Sequence, residues 1–129
     1  MRAEELKGHL DAVLLAALEG GPRHGYAVIE ALRQSTDGRL DLPTGTIYPA
    51  LRRLEQAGLI AGTWSVVGGR RRREYGLTPA GIRALSGRRA AWRDFSATVT
   101  AALESAALVN ATLENAAMED TACPSPNPA

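Results

Sequence analysis

Cysteine, histidine, lysine and aromatic residues are all scarce in this chain, and each shortage closes off a class of function. The single cysteine, Cys123, excludes an intrachain disulfide and any multi-cysteine zinc site. The two histidines, His9 and His24, belong to no metal-ligand cluster, and there is no nucleophile elbow or phosphate loop. Neither enzymatic activity nor a cofactor or metal is therefore expected. No apolar run approaches the ~20 residues that span a bilayer. The N-terminal apolar stretch is interrupted by Asp11 and opens on acidic as well as basic residues, so a cytoplasmic protein without a secretory signal is expected. Aromatics make up 5% of 129 residues, which leaves Leu, Ala, Val and Ile to build the modest core that one domain of this size can bury.

Lysine is nearly absent, and arginine takes its place. Fourteen of the 15 cations are arginine, the residue suited to bidentate contact with phosphates and guanine edges. A GC-rich genome would also raise arginine content, but it would not cluster Arg70, Arg71, Arg72 and Arg73 in one place. The net charge of +1 conceals a division: residues 1–100 carry +5 and residues 101–129 carry −4.

Residues 8–19 read as a helix that is apolar nearly all round (Leu10, Val13, Leu14, Leu15, Ala17, Leu18), which asks for cover on more than one face and hints at a second chain. Gly20-Gly21-Pro22 ends it. A second helix is predicted over 25–35, with Tyr26, Ile29 and Leu32 on one side and His24 in a capping or turn role at its start. After a loop with Asp-Gly and Pro, a third helix begins near Thr44 to Thr46 and stops at Gly58. Ile47, Leu51 and Leu54 recur at helical spacing and face the core, while Gly45, Pro49, Arg52, Arg53 and Gln56 point away and Thr46 and Tyr48 flank them. Pro49 is tolerable if it sits in about the first turn, where few amide donors are needed. Residues 59–67 and 72–77 read as strands joined around Gly68-Gly69, with the four arginines at the hairpin tip. Thr78-Pro79 is a helix start, with Thr as the cap and Pro in the first position. Beyond it Ile82, Leu85, Trp92, Val99, Leu103, Ala106 and Leu113 form a stripe close to a three-four repeat, a seam for another helix. Unbroken to about Met118, that helix would be roughly 60 Å long and would either project into a partner or break after Trp92. From Glu119 the chain is polar and proline-rich, and disorder is expected.

Three helices, a turn between the second and third, and a basic hairpin describe a winged helix-turn-helix: a mostly α fold with a small β-hairpin. Its chemistry follows from DNA geometry. A recognition helix presents its N-terminal residues to base edges in the major groove, which nominates Thr44, Thr46, Tyr48 and Pro49. Arg52 and Arg53, a turn further on, reach for flanking phosphates. Gly69, Arg70, Arg71, Arg72 and Arg73 form the wing tip, where a phosphate backbone or narrow minor groove would neutralise the arginines. Alternate residues of a strand share a face, so Arg71 acts with Arg73, or Arg70 with Arg72. Trp64 reads as structural.

The stretches GHLDAVLLAAL, PRHGYAVI, LPTGTIYPALRRLEQAGLI, the tryptophan of GTW, and GGRRRREYGLTPAG together resemble the PadR family of bacterial transcriptional regulators over residues 6–98. The resemblance implies a winged helix-turn-helix homodimer of the short subfamily. Such proteins are usually repressors on double-stranded DNA at an inverted repeat, often released by a small molecule or stress signal. It also implies dimerisation through the helix after the wing, packed partly on the partner's first helix, with Leu10, Leu14, Leu85, Trp92, Val99 and Leu103 at the interface. In multidrug-sensing relatives a tryptophan of that helix sandwiches a flat aromatic effector. Trp92 occupies the corresponding place here, and a packed seam residue without a ligand is the alternative. The domain plan is then a DNA-binding domain over 6–78, a dimerisation helix or helices over 79–118, and a disordered tail over 119–129. Two other classes stay open: a protein-interaction module on a winged-helix scaffold, and a small-molecule-binding protein without a DNA role.

Overall fold

Apolar spacing, caps and one glycine turn decide the elements of the first 89 residues. The computed structural model describes residues 3–6 and 8–122. A 3-10 turn over Ala3–Leu6 precedes α1 (Leu10–Ala17), β1 (Arg23–His24), α2 (Gly25–Ser35), α3 (Thr44–Gln56), β2 (Ile60–Val67), β3 (Arg70–Leu77) and α4 (Pro79–Ala122). The strands form one antiparallel sheet in the order β1-β3-β2. The expected two-stranded hairpin is therefore three-stranded: β1 pairs Arg23 with Tyr75 and His24 with Glu74. A two-residue strand has no period to betray it, and only its partner makes it a strand.

The caps fall where the side chains allow. His24 ends β1 and caps α2, its Nδ1 accepting from the Ala27 amide at 3.3 Å. Thr78 caps α4, its Oγ1 accepting from the Gly81 amide at 3.0 Å and donating to the Gly58 carbonyl at 2.6 Å. Pro49 is the sixth residue of α3, in its second turn and not its first. It has no amide to offer the Gly45 carbonyl, and both residues are exposed. The hairpin closes through Gly68 and Gly69 at φ +59° and +78°, the left-handed pair that a two-residue turn with the right twist requires. Val67 pairs directly with Arg70, so all four arginines belong to β3 rather than to a loop.

The core of this part gathers Leu14, Leu15 and Leu18 from α1 and its end, Val28 and Leu32 from α2, and Ile47, Ala50, Leu51 and Leu54 from α3. Ile60, Tyr75 and Leu85 close it from the sheet and from the start of α4. Each fully buried aliphatic side chain contributes about 1.5–3 kcal/mol of hydrophobic stabilisation. Tyr26, expected on the core side of α2, is instead 65% exposed. The buried stripe of that helix runs through Gly25, Val28 and Leu32, so that Gly25 and Val28 take the inward places expected of Tyr26 and Ile29 and Tyr26 is left on the rim. Arg89 grips Glu19 with two hydrogen bonds of 2.6 and 2.8 Å, tying the end of α1 to the start of α4. The Arg89 hydrogen bond holds the Glu19 carboxyl below its ordinary pKa.

The chain divides after Arg89 into two compact units. Residues 90–122 of the second are helical throughout, with no break after Trp92, and the helix runs four residues past its expected end at 118. Here Trp92, Phe95, Val99, Leu103, Leu108, Val109 and Leu113 are all exposed. The remaining seven residues of the expected tail, with Cys123, lie outside the described residues.

Candidate nucleic-acid interface

The outward side of α3 begins at its N-terminus. Thr44, Gly45 and Pro49 are exposed, Thr46 is half-buried, and Arg52 and Arg53 are exposed one turn on. Tyr48 is anchored from below. A Cβ on Gly25 would lie 2.6 Å from the Tyr48 ring, so only glycine at the start of α2 lets that ring lie against the helix. Tyr26 meets Tyr48 edge to face, with ring centroids 6.3 Å apart. Burial raises the pKa of the Tyr48 phenol, so it stays a neutral hydrogen-bonding group far above physiological pH. Tyr26 thus joins the outward aromatic pair, although its spacing in α2 pointed to the core.

The arginines separate into two groups. Arg53 is paired with Asp11 of α1 at 3.1 Å, and Arg88 approaches the same carboxylate at 4.0 Å. Arg73 is paired with Glu55 in the last turn of α3. By contrast Arg52, Arg70, Arg71 and Arg72 are exposed and belong to no ion pair among the described residues. Strand register sorts the wing further. Trp64 pairs with Arg73 and Val66 with Arg71 on one face, while Ser65 pairs with Arg72 and Val67 with Arg70 on the other. Trp64, expected to be structural, is 58% exposed on the wing. The Arg71 guanidinium lies 4.7 Å from its ring centroid and that of Arg73 lies 5.4 Å away. Such stacking holds a guanidinium flat without neutralising it. Gly69, at the turn, is exposed.

The residues expected at a dimer interface also separate. Leu14 and Leu85 are corrected: they are 0% and 2% exposed and packed in the core of their own chain, so neither has surface left for a second copy. Helical spacing showed that they face something apolar, and that something is intramolecular. Leu10 is half-buried against the core. Trp92, Val99 and Leu103 are open, and Trp92 packs beside Phe95 with centroids 6.1 Å apart and planes tilted by 37°. Among the described residues no cluster of His, Cys, Asp or Glu is arranged to hold a metal ion, and no helix is long and apolar enough to cross a membrane.

Comparison with known proteins matches residues 14–87 to the transcriptional regulator PadR-like family. The chain is similar to a transcriptional regulator of Mycobacterium tuberculosis, 40% identical over 77 residues, covering 60% of this chain and 59% of that one. A PadR family transcriptional regulator from Eggerthella lenta superposes with a TM-score of 0.67 at 33% identity, over 78% of this chain and 87% of that one. A transcriptional regulator from Clostridium thermocellum gives a TM-score of 0.70 at 26% identity, over 76% and 96% of the two chains.

Proposed function

The chain belongs to the transcriptional regulator PadR-like family, and on that footing we propose that it binds double-stranded DNA as a homodimer and represses transcription at an inverted-repeat operator. The observation that carries this reading is the set of exposed arginines without carboxylate partners among the described residues: Arg52 on α3, and Arg70, Arg71 and Arg72 on β3. The three consecutive cations on β3 repel one another, and duplex phosphates relieve that repulsion while releasing condensed counterions. In this reading α3 enters the major groove with Thr44, Thr46 and Pro49 at the base edges. Tyr48, fixed on Gly25, steadies that end of the helix. The arginines supply affinity with little sequence preference.

The homodimer rests on the apolar side chains that residues 90–113 expose. Trp92, Phe95, Val99 and Leu103 follow one another at three- and four-residue steps, the spacing of a helix–helix seam. The Trp92–Phe95 pair is also where a flat aromatic effector would stack. Arg71→Ala tests the DNA reading. It should weaken binding to every duplex and lower the slope of log affinity against log salt by about 1. Fluorescence anisotropy across a salt series measures this, and an unchanged slope would refute a phosphate contact by the wing.

A further inference from the structure

Glu55 puts a negative charge on the helix proposed to enter the polyanion's groove, where simple electrostatics disfavours it. Its contacts explain its place. The carboxylate accepts from the guanidinium of Arg73 on β3, and the same Oε2 accepts from the backbone amide of Gly62 on β2 at 3.2 Å. One side chain of α3 therefore holds both strands of the wing. Arg73 is confined on its other sides: its guanidinium lies 5.4 Å from the Trp64 centroid and 6.0 Å from that of Tyr75. It also crosses directly over Gly62, where a Cβ would come within 2.6 Å of its Nε. Glu55 and Arg73 are both about two-thirds covered, so the pair is better shielded than the surface ion pairs Arg33–Glu30 and Arg33–Asp41.

From this arrangement we infer that Glu55 is a positioning residue for DNA binding, one that fixes the wing at a set angle to α3 through Arg73 and the Gly62 amide. Arg73 is consequently the internal strut of the wing, and its neighbours Arg70, Arg71 and Arg72 are the cations the strut presents. The inference rests on the proposed DNA-binding role, and it makes a prediction opposite in sign to the electrostatic one. Removing a carboxylate from a surface that meets phosphates ordinarily tightens binding. Removing Glu55 should loosen it, because a wing free to swing loses its backbone contacts.

The experiment compares full-length wild type with Glu55→Gln, Gly62→Ala, Asp11→Asn and Arg71→Ala by anisotropy on one labelled duplex over a salt series, with thermal melts of each variant. Gly62→Ala changes no charge and is placed in a strand without a left-handed backbone, and the atoms its methyl would meet first are those of the Arg73 guanidinium. Asp11→Asn removes a carboxylate that holds an interface arginine but touches no strand of the wing. Glu55→Gln and Gly62→Ala should each weaken binding about tenfold and reduce the salt slope by about 1, as Arg71→Ala does, while Asp11→Asn binds at least as tightly as wild type. Binding by Glu55→Gln and Gly62→Ala that equals or exceeds wild type, while Arg71→Ala is weakened, overturns the inference and leaves the DNA reading intact. Failure of wild type to bind, or an Arg71→Ala slope like that of wild type, strikes the DNA reading itself. Should Glu55→Gln fail to fold, Gly62→Ala decides alone.

Discussion

The two units of the chain treat apolar side chains in opposite ways. In the unit that ends at Arg89, leucines from α1, α2 and α3 and the first turns of α4 are packed out of contact with water, and the large apolar groups left open, Tyr26, Trp64, Val66, Val67 and Ile82, lie on its surface, three of them on the wing. In residues 90–122 every large apolar side chain that the structure places is exposed, from Trp92 to Leu113. The same residue types at the same helical spacing therefore have different meanings in the two places. Leu51 and Leu54 hold α3 to the core, whereas Val99 and Leu103 are exposed and lie outside that core. A helix with an open stripe of that kind is stable in water chiefly when another helix covers it. The first unit buries a core within one copy, and the open stripe of the second is the surface that the proposed homodimer would cover.

That contrast can be broken by substitution. The largest effect belongs to the core: Leu51→Ala should cost about 2–5 kcal/mol of folding stability, read as a lowered urea midpoint. A change below about 0.5 kcal/mol, the range of ordinary surface positions, would contradict the packing described for α3. Next comes the open stripe. Val99→Glu with Leu103→Glu should weaken self-association by about 30-fold or more in sedimentation velocity, while leaving the melting of the first unit in place. A dimer that survives both changes would move the interface elsewhere.

The smallest effect concerns Tyr48 and depends on pH. Burial favours its neutral phenol, so its folded pKa lies above the unfolded value. As pH rises through about 10, the unfolded chain releases this proton first, the folded state binds more protons, and stability falls. Tyr48→Phe should therefore lose less stability than wild type between about pH 9 and about pH 11. Urea midpoints at the two pH values give the comparison, and equal losses would show that the phenol is not shielded.

Much of the first unit was legible in sequence because its signals are local. Ile47, Leu51 and Leu54 recur on one face, Thr78-Pro79 starts a helix, and Gly68-Gly69 can hardly be other than a hairpin turn. What stayed hidden depends on residues distant in sequence. The clamp of Glu55 on Arg73 spans 18 positions, the anchoring of Tyr48 on Gly25 spans two helices, and β1 exists only because β3 lies beside it. Helical periodicity found the apolar faces of α1 and α4 but not what covers them. For that reason Leu14 and Leu85 were expected at a partner and are found in the chain's own core. The four arginines looked equivalent as a run, and strand register with one glutamate makes Arg73 different from the rest.

The proposal that α3 and the wing together read an operator is tested most directly by one titration. Full-length protein is added to a labelled duplex drawn from the region upstream of its own gene, and separately to a scrambled duplex of equal length, at several salt concentrations. The account predicts binding to the first duplex tighter by ~10³-fold or more, with affinity for both falling steeply as salt rises. Equal affinity for the two duplexes, or affinity indifferent to salt, would contradict it.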